Sequence, residues 1–231
     1  MLRLEHITIK YNERVIFHDL SYSFQENKIY GLIGRNGAGK TTLLKTIARL
    51  KKEEHGDIFW GDVSIKNKNY FDLDATFISD DHSFFQDLTM YEQMLFLCKI
   101  KGLQKTKAQK KIEEIVDLFK LGDYIDYFPH ALSRGTLQRF GIAFGYLRGS
   151  KLLLLDEPFI TLDPIQVNTL EKLLISQKSP NRIIVVSSHD LDSLEAICDE
   201  YLIIKDKNVI RYLPNEIGRS TITQIIGDSY E

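Results

Sequence analysis

The first residues alternate, with Leu2, Leu4, His6 and Thr8 on one side and Arg3, Glu5, Ile7 and Ile9 on the other. A period of two predicts a strand with at least one apolar face. Residues 15–24 predict a second strand. Residues 28–33 are short, apolar and followed by glycine, as a buried strand would be. A glycine-rich loop spans 34–39, and Leu43, Leu44, Ile47, Ala48 and Leu50 then recur at a helical period. Residues 56–65 predict a hairpin turning near Gly61, and 75–79 another short strand. The period then changes. Residues 89–100, 106–120 and 136–148 predict helices, with Ile112, Ile115, Val116 and Phe119 as the apolar stripe of the second. Beyond them come a buried strand at 151–155, a helix at 164–177, a strand at 183–187 and a helix at 191–198. Two strand-like runs, 201–204 and 209–212, precede a short tail.

Strands and helices alternate at both ends, around a helical block at about residues 83–148. That order predicts an α/β fold, a mainly parallel sheet covered by helices, with the block as an inserted subdomain. The expected layout is one domain over 1–231, its core at about 1–82 and 149–213, and a tail at 214–231.

Composition narrows the class of protein. The 231 residues are 43% apolar and 27% charged, close to ordinary globular usage, which excludes a disordered or collagen-like chain. The net charge of −2 provides no overall field toward nucleic acid or anionic lipid. The lysine-rich stretch 101–111 is followed by Glu113 and Glu114 on a predicted helix, so a solvated face is preferred over a polyanion site. No apolar run approaches the ~18–20 residues that span a bilayer. Cys98 and Cys198 fall in no metal or redox spacing and read as buried thiols in a reducing compartment. The expectation is a soluble, cytosolic-type domain without a targeting segment.

Gly34-Arg35-Asn36-Gly37-Ala38-Gly39-Lys40-Thr41 fits G-x-x-x-x-G-K-[ST]. Glycines let successive N–H groups turn inward around a phosphate chain, and the helix that follows points its positive end at the same anion. Lys40 would bridge the outer phosphates and Thr41 would ligate Mg²⁺, with Thr42 beside it. The pattern arises by chance in roughly one chain in a hundred of this length. Here it also follows a strand and opens a helix. The bland alternative is a structural glycine-rich turn.

The strand 152–155 ends in Asp156-Glu157. In a nucleotide site the first carboxylate would hold Mg²⁺ and the second would deprotonate a water attacking the γ-phosphate. Alone, the pair could equally be a strand end reaching solvent.

Further elements connect these two. Leu132-Ser133-Arg134-Gly135-Thr136 resembles the LSGGQ signature of ATP-binding-cassette (ABC) ATPases. Thr161-Leu162-Asp163-Pro164 resembles that family's D-loop, and Ser188-His189-Asp190 its switch histidine. All stand in the family's order over essentially the whole chain. The resemblance implies a P-loop NTPase core with an N-terminal antiparallel β portion. It implies a head-to-tail dimer with two ATP molecules between the subunits. Ser133 and Gly135 would contact the γ-phosphate held by the partner subunit. Asp163 would lie at the subunit contact, and His189 would hold the attacking water. Tyr11 stands where the family often stacks adenine on an aromatic ring; a plain strand-end tyrosine is the alternative.

Two departures stand out. Asp80 occupies the position of the family's glutamine, with Gln86 several residues too late. It would ligate Mg²⁺ or swing away until the dimer closes. In the signature, Arg134 replaces a glycine and Thr136 the glutamine, so Arg134 either adds positive charge near the partner's nucleotide or faces solvent.

The resemblance implies a transporter's ATP-binding subunit, coupling ATP-driven closure to a separate transmembrane permease, with export preferred. It would sit in the cytoplasm, on the inner face of the plasma membrane through the permease. The second subunit would be an identical chain or a different cassette, and no nucleic acid is expected. The alternative is a non-transport ABC ATPase switching a soluble or nucleic-acid partner. A metabolic kinase would share the phosphate loop without needing Ser133, Gly135 or His189.

Overall fold

The computed structural model describes residues 1–68, 73–79, 84–160, 162–189 and 191–227. In chain order the elements are β1 (Leu2–Tyr11), β2 (Arg14–Phe24), β3 (Lys28–Ile33), α1 (Lys40–Ile47), β4 (His55–Trp60), β5 (Val63–Ser64) and β6 (Ala75–Ile78). Then come α2 (Met90–Ile100), α3 (Lys105–Leu118), α4 (Arg134–Arg148), β7 (Leu152–Asp156), α5 (Pro164–Ser176) and β8 (Ile183–Ser188). The chain closes with α6 (Leu191–Ile197), β9 (Glu200–Lys205), β10 (Asn208–Tyr212) and α7 (Arg219–Gly227).

Six strands form one sheet in the order β10-β9-β3-β8-β7-β6, parallel except for the β9–β10 hairpin. Its central strands are apolar on both faces because both faces are covered. Leu152, Leu154, Ile183 and Val185 join one apolar cluster, with α1 and the N-terminal strands. Leu153, Leu155, Ile184 and Val186 join the other, with residues of α2 to α6. The helical block is thus continuous with one sheet face. Gly141 and Gly145 let α4 lie close to it, since a Cβ at either would stand 3.2 Å from Ile78 or from Leu153 and Thr76.

The other four strands form an antiparallel sheet, β2-β1-β4-β5. Here the simple alternation fails. Leu2 and Leu4 are buried, but so are Ile7 and Ile9, whereas His6 is exposed with φ +52°. The pairing slips between Leu4 and Ile7, so a bulge at His6 moves the apolar phase from even to odd positions.

Two boundaries also differ from the sequence pattern. The third helix of the block begins at Arg134, not Thr136, because Ser133 caps it by accepting the Thr136 N–H at 3.2 Å. The tail carries a helix, α7, anchored by the buried Ile217 and Ile222. No described helix is long and apolar enough to cross a membrane.

Candidate active site

The loop from Gly34 to Gly39 joins β3 to α1 at one end of the parallel sheet. Gly37 and Gly39 have φ +80° and +108°, a backbone region that L side chains rarely enter. Gly39 caps α1 with no side-chain hydrogen bond, and the first turn holds no acidic residue. The helix's free N–H groups therefore face the loop with no carboxylate to satisfy them. Lys40 is 6% exposed, and its ammonium donates to the carbonyls of Gly34 at 2.8 Å and Arg35 at 3.4 Å.

At the end of β7, Asp156 is 7% exposed and fully bridged. Oδ2 accepts from the Thr41 hydroxyl at 2.5 Å and Oδ1 from the Ser187 hydroxyl at 2.6 Å. Glu157 follows in a left-handed turn at φ +50°. Its Oε2 lies 2.9 Å from His189 Nδ1, and its Oε1 lies 2.9 Å from Lys40 Nζ. That second contact is electrostatic; Oε1 is buried and forms no aligned hydrogen bond among the described residues. Lys40, Thr41, Asp156, Glu157 and His189 thus meet in one corner, although the sequence scatters them over 150 positions.

A cleft of about 360 Å³ opens beside this corner. Arg35, Asn36, Gly37, Gly39, Lys40, Thr41, Thr42 and Glu157 line one part, and Tyr11, Arg14 and Ile16 the rest. Gly34 and Ala38 support the loop from below: a Cβ on Gly34 would stand 3.2 Å from Ala38 Cβ. Tyr11 is 61% exposed, and the Lys51 ammonium lies 5.7 Å from its ring centroid. Three contributors escaped sequence reasoning: Arg14, Ile16 and Ser187. The first two come from the hairpin after Tyr11, and Ser187 reads as an ordinary strand end.

The cleft suits a nucleoside triphosphate by its unsatisfied helix end, its glycine cradle and its buried lysine. Among the described residues, no three His, Cys, Asp or Glu side chains cluster to hold a metal. Among the described residues, Thr41 and Asp156 are placed to hold Mg²⁺, an ion that commonly takes phosphate oxygens and water as its other ligands.

Ser133, Gly135 and Asp163 form a second corner, on α4 and α5. Ser133 is exposed at the α4 cap. Gly135 is buried inside the first turn, where a Cβ would come 2.8 Å from Leu162 and 3.0 Å from Gln166. Asp163 caps α5, its Oδ1 accepting from the N–H groups of Ile165 and Gln166 at 2.9 Å each. Asp80 lies outside the described residues.

The family model for ABC transporters matches residues 17–160, which include the phosphate loop, the signature and both carboxylates. The chain belongs to the ABC transporter family. It is an ATP-binding chain of that family, with the ABC ATPase fold and activity. An uncharacterized ABC transporter ATP-binding protein of Bacillus subtilis, YhaQ, is 30% identical over 225 residues, which are 95% of this chain and 74% of that one. The bacitracin transport ATP-binding protein BcrA of Bacillus licheniformis is 32% identical, over 93% of this chain and 70% of its own. Among solved structures, the dimeric post-hydrolysis cassette MJ0796, bound to ADP and Pi, superposes with a TM-score of 0.82 at 20% identity. That likeness covers 93% of this ABC chain and 99% of the other.

Proposed function

We propose that this chain is the ATP-hydrolysing subunit of an ABC transporter whose membrane path belongs to a separate permease. The observation that carries the reading is the corner itself, where Lys40, Thr41, Asp156, Glu157 and His189 converge on a glycine cradle. In this reading Lys40 draws charge from the outer phosphates. Thr41 and Asp156 would hold Mg²⁺, which would supply positive charge at the outer phosphates. The Glu157 carboxylate takes a proton from water as the water oxygen bonds to the γ-phosphorus and the bond to ADP breaks. His189 orients that water, and Tyr11 stacks on adenine. Gly34, Asn36, Gly37, Ala38, Gly39 and Thr42 form the cradle.

Ser133 and Gly135 serve the partner subunit's nucleotide, with the N-terminal end of α4 directed at its phosphate. Asp163 lies at the subunit contact. Support comes from exposure, since Ser133 and Asp163 sit at solvent-facing caps where a second cassette could reach them. We place the chain in the cytoplasm, at the inner membrane face through its permease. Residues 1–82 and 149–213 act as the core, and the block at 83–148 receives the permease. We propose export as the direction, on the strength of Asp80 in the glutamine position and the signature Ser133-Arg134-Gly135-Thr136. The likeness to BcrA is compatible with either direction.

Glu157→Gln tests the reading. The variant should bind ATP as the wild type does, lose hydrolysis by roughly 100-fold or more and accumulate as an ATP-bound dimer in light scattering. Turnover at the wild-type rate would remove Glu157 as the base. A variant that stays monomeric with ATP, Mg²⁺ and permease all present would remove the composite site.

A further inference from the structure

We propose that Ser187 is a positioning residue for hydrolysis, its one hydroxyl bonding the Asp156 carboxylate and the Glu157 backbone N–H at once. The parallel register sets Ser187 of β8 opposite Asp156 of β7. Ser187 is 0% exposed, so its hydroxyl must find its partners inside the protein. It donates its proton to Asp156 Oδ1 at 2.6 Å and accepts the Glu157 N–H at 3.0 Å. The Ser187 carbonyl accepts from the same N–H, also at 3.0 Å.

Each bond has a consequence. The bond to Oδ1 occupies one oxygen of Asp156 and turns the other, Oδ2, to Thr41. The bonds to the Glu157 N–H pin a residue at φ +50°, a conformation that persists only where its surroundings over-determine it. That turn aims Oε1 at Lys40 and Oε2 at His189. Without the hydroxyl, Asp156 gains freedom to rotate, and the Glu157 turn keeps only the carbonyl. The phosphate loop and Tyr11, which line the cleft away from Glu157, would be unchanged. Ser187 should therefore act on turnover and leave nucleotide binding alone. The proposal rests on the reading of Asp156 and Glu157 as the ion-holding and base carboxylates.

The test compares Ser187→Thr with Ser187→Val in the full chain. The two side chains share a shape and differ by the hydroxyl. We expect ATP Kd, measured in EDTA without turnover, to stay within twofold of wild type for both, with matching Tm values. The kcat should stay within threefold for the threonine variant and fall at least tenfold for valine, with KM nearly constant. Equal kcat in two folded variants would overturn the proposal, as would a Kd that rises as kcat falls. If the branched residues prevent folding, Ser187→Ala decides: a tenfold loss of kcat at constant Kd supports the proposal, and kcat within twofold of wild type overturns it. Glu157→Gln run alongside separates the two levels. If it turns over normally, the base assignment has failed. If it is inert while threonine and valine behave alike, only the role of Ser187 has.

Discussion

At the start of β3, Glu200 of the neighbouring strand has a side chain only 5% exposed. Its Oε2 accepts from Tyr22 at 3.0 Å and from Arg211 at 2.7 Å, and its Oε1 accepts from Lys28. Burial would raise its pKa, but the hydrogen bonds from Arg211, Lys28 and Tyr22 outweigh it and hold the carboxyl below its ordinary value. Burial, then the nearby carboxylate, push the Tyr22 phenol far up. At the other end of β3, beyond the phosphate loop, Glu157 is half-buried, with its Oε1 shut off from solvent. There Oε1 faces Lys40 without an aligned hydrogen bond, and the backbone is left-handed. One end uses every acceptor it has. The other keeps an acceptor in reserve on a strained turn. Of these two glutamates, the one whose partners are complete is architecture, and the one left incomplete is available for chemistry.

The largest expected effect falls at the incomplete end. Gly39→Ala would force a Cβ to 2.3 Å from Ile16 Cγ2 and 3.0 Å from Phe17, at φ +108°. The loop must move, and the helix end it aims moves with it. ATP affinity should drop by about 100-fold or more, equivalent to ~2.7 kcal/mol or greater. Stability in urea should fall by about 2–4 kcal/mol from left-handed strain and crowding. Gly37→Ala, at φ +80° but with nothing within 4 Å of its Cβ, carries the left-handed strain without the crowding and so separates the two. Wild-type ATP affinity in Gly39→Ala would show that the cradle is not what binds.

The complete end should respond in the opposite sense. Glu200→Gln should cost about 1–3 kcal/mol of stability. The kcat per folded molecule should stay within twofold, because nothing at the catalytic corner touches Glu200. The pH dependence has a definite sign. A depressed folded pKa contributes stability that is fully present above the unfolded glutamate value of about 4.3. It is lost as pH falls through the folded value. Urea melts of wild type and variant should therefore differ at pH 7 and converge in acid. A constant gap across that range would remove the charge from the explanation.

The two ends were unequally legible in the sequence. The phosphate loop and Asp156-Glu157 could be read because each is contiguous, and their chemistry follows from residue type and spacing. Ser187, Arg14 and Ile16 could not, because only sheet register and the first hairpin bring them to the corner. Glu200 gave no local signal, since its three donors come from three other strands. The His6 bulge had a signal: apolar residues at 2 and 4, then at 7 and 9, change phase. Helix α7 had one as well, in the spacing of Ile222, Ile225 and Ile226 within an otherwise polar tail. The start of α4 was misplaced by two residues because Gly135 reads as a loop residue. It is in fact the point where α4 lies against Leu162 and Gln166.

Asp163 offers the smallest effect and the sharpest challenge to the contrast between the two ends. Its Oδ1 accepts two backbone N–H groups and completes a capping box with Gln166. By the rule drawn from Glu200, it should be architecture alone; as a proposed subunit contact, it should also serve the dimer. Asparagine caps helices about as well as aspartate, so Asp163→Asn should keep stability within about 0.5 kcal/mol, whereas Asp163→Ala should lose about 1 kcal/mol. Each change is placed in a Glu157→Gln background, and ATP-dependent dimerisation is followed by light scattering. If the charge contributes at the contact, the asparagine variant keeps its melting temperature but dimerises more weakly, by about two- to fivefold, the scale of an exposed ion pair. The alanine variant then loses both. If dimerisation is unchanged in the asparagine variant, Asp163 is a cap and nothing more, and satisfied carboxylates at this surface obey the same rule as those within the sheet.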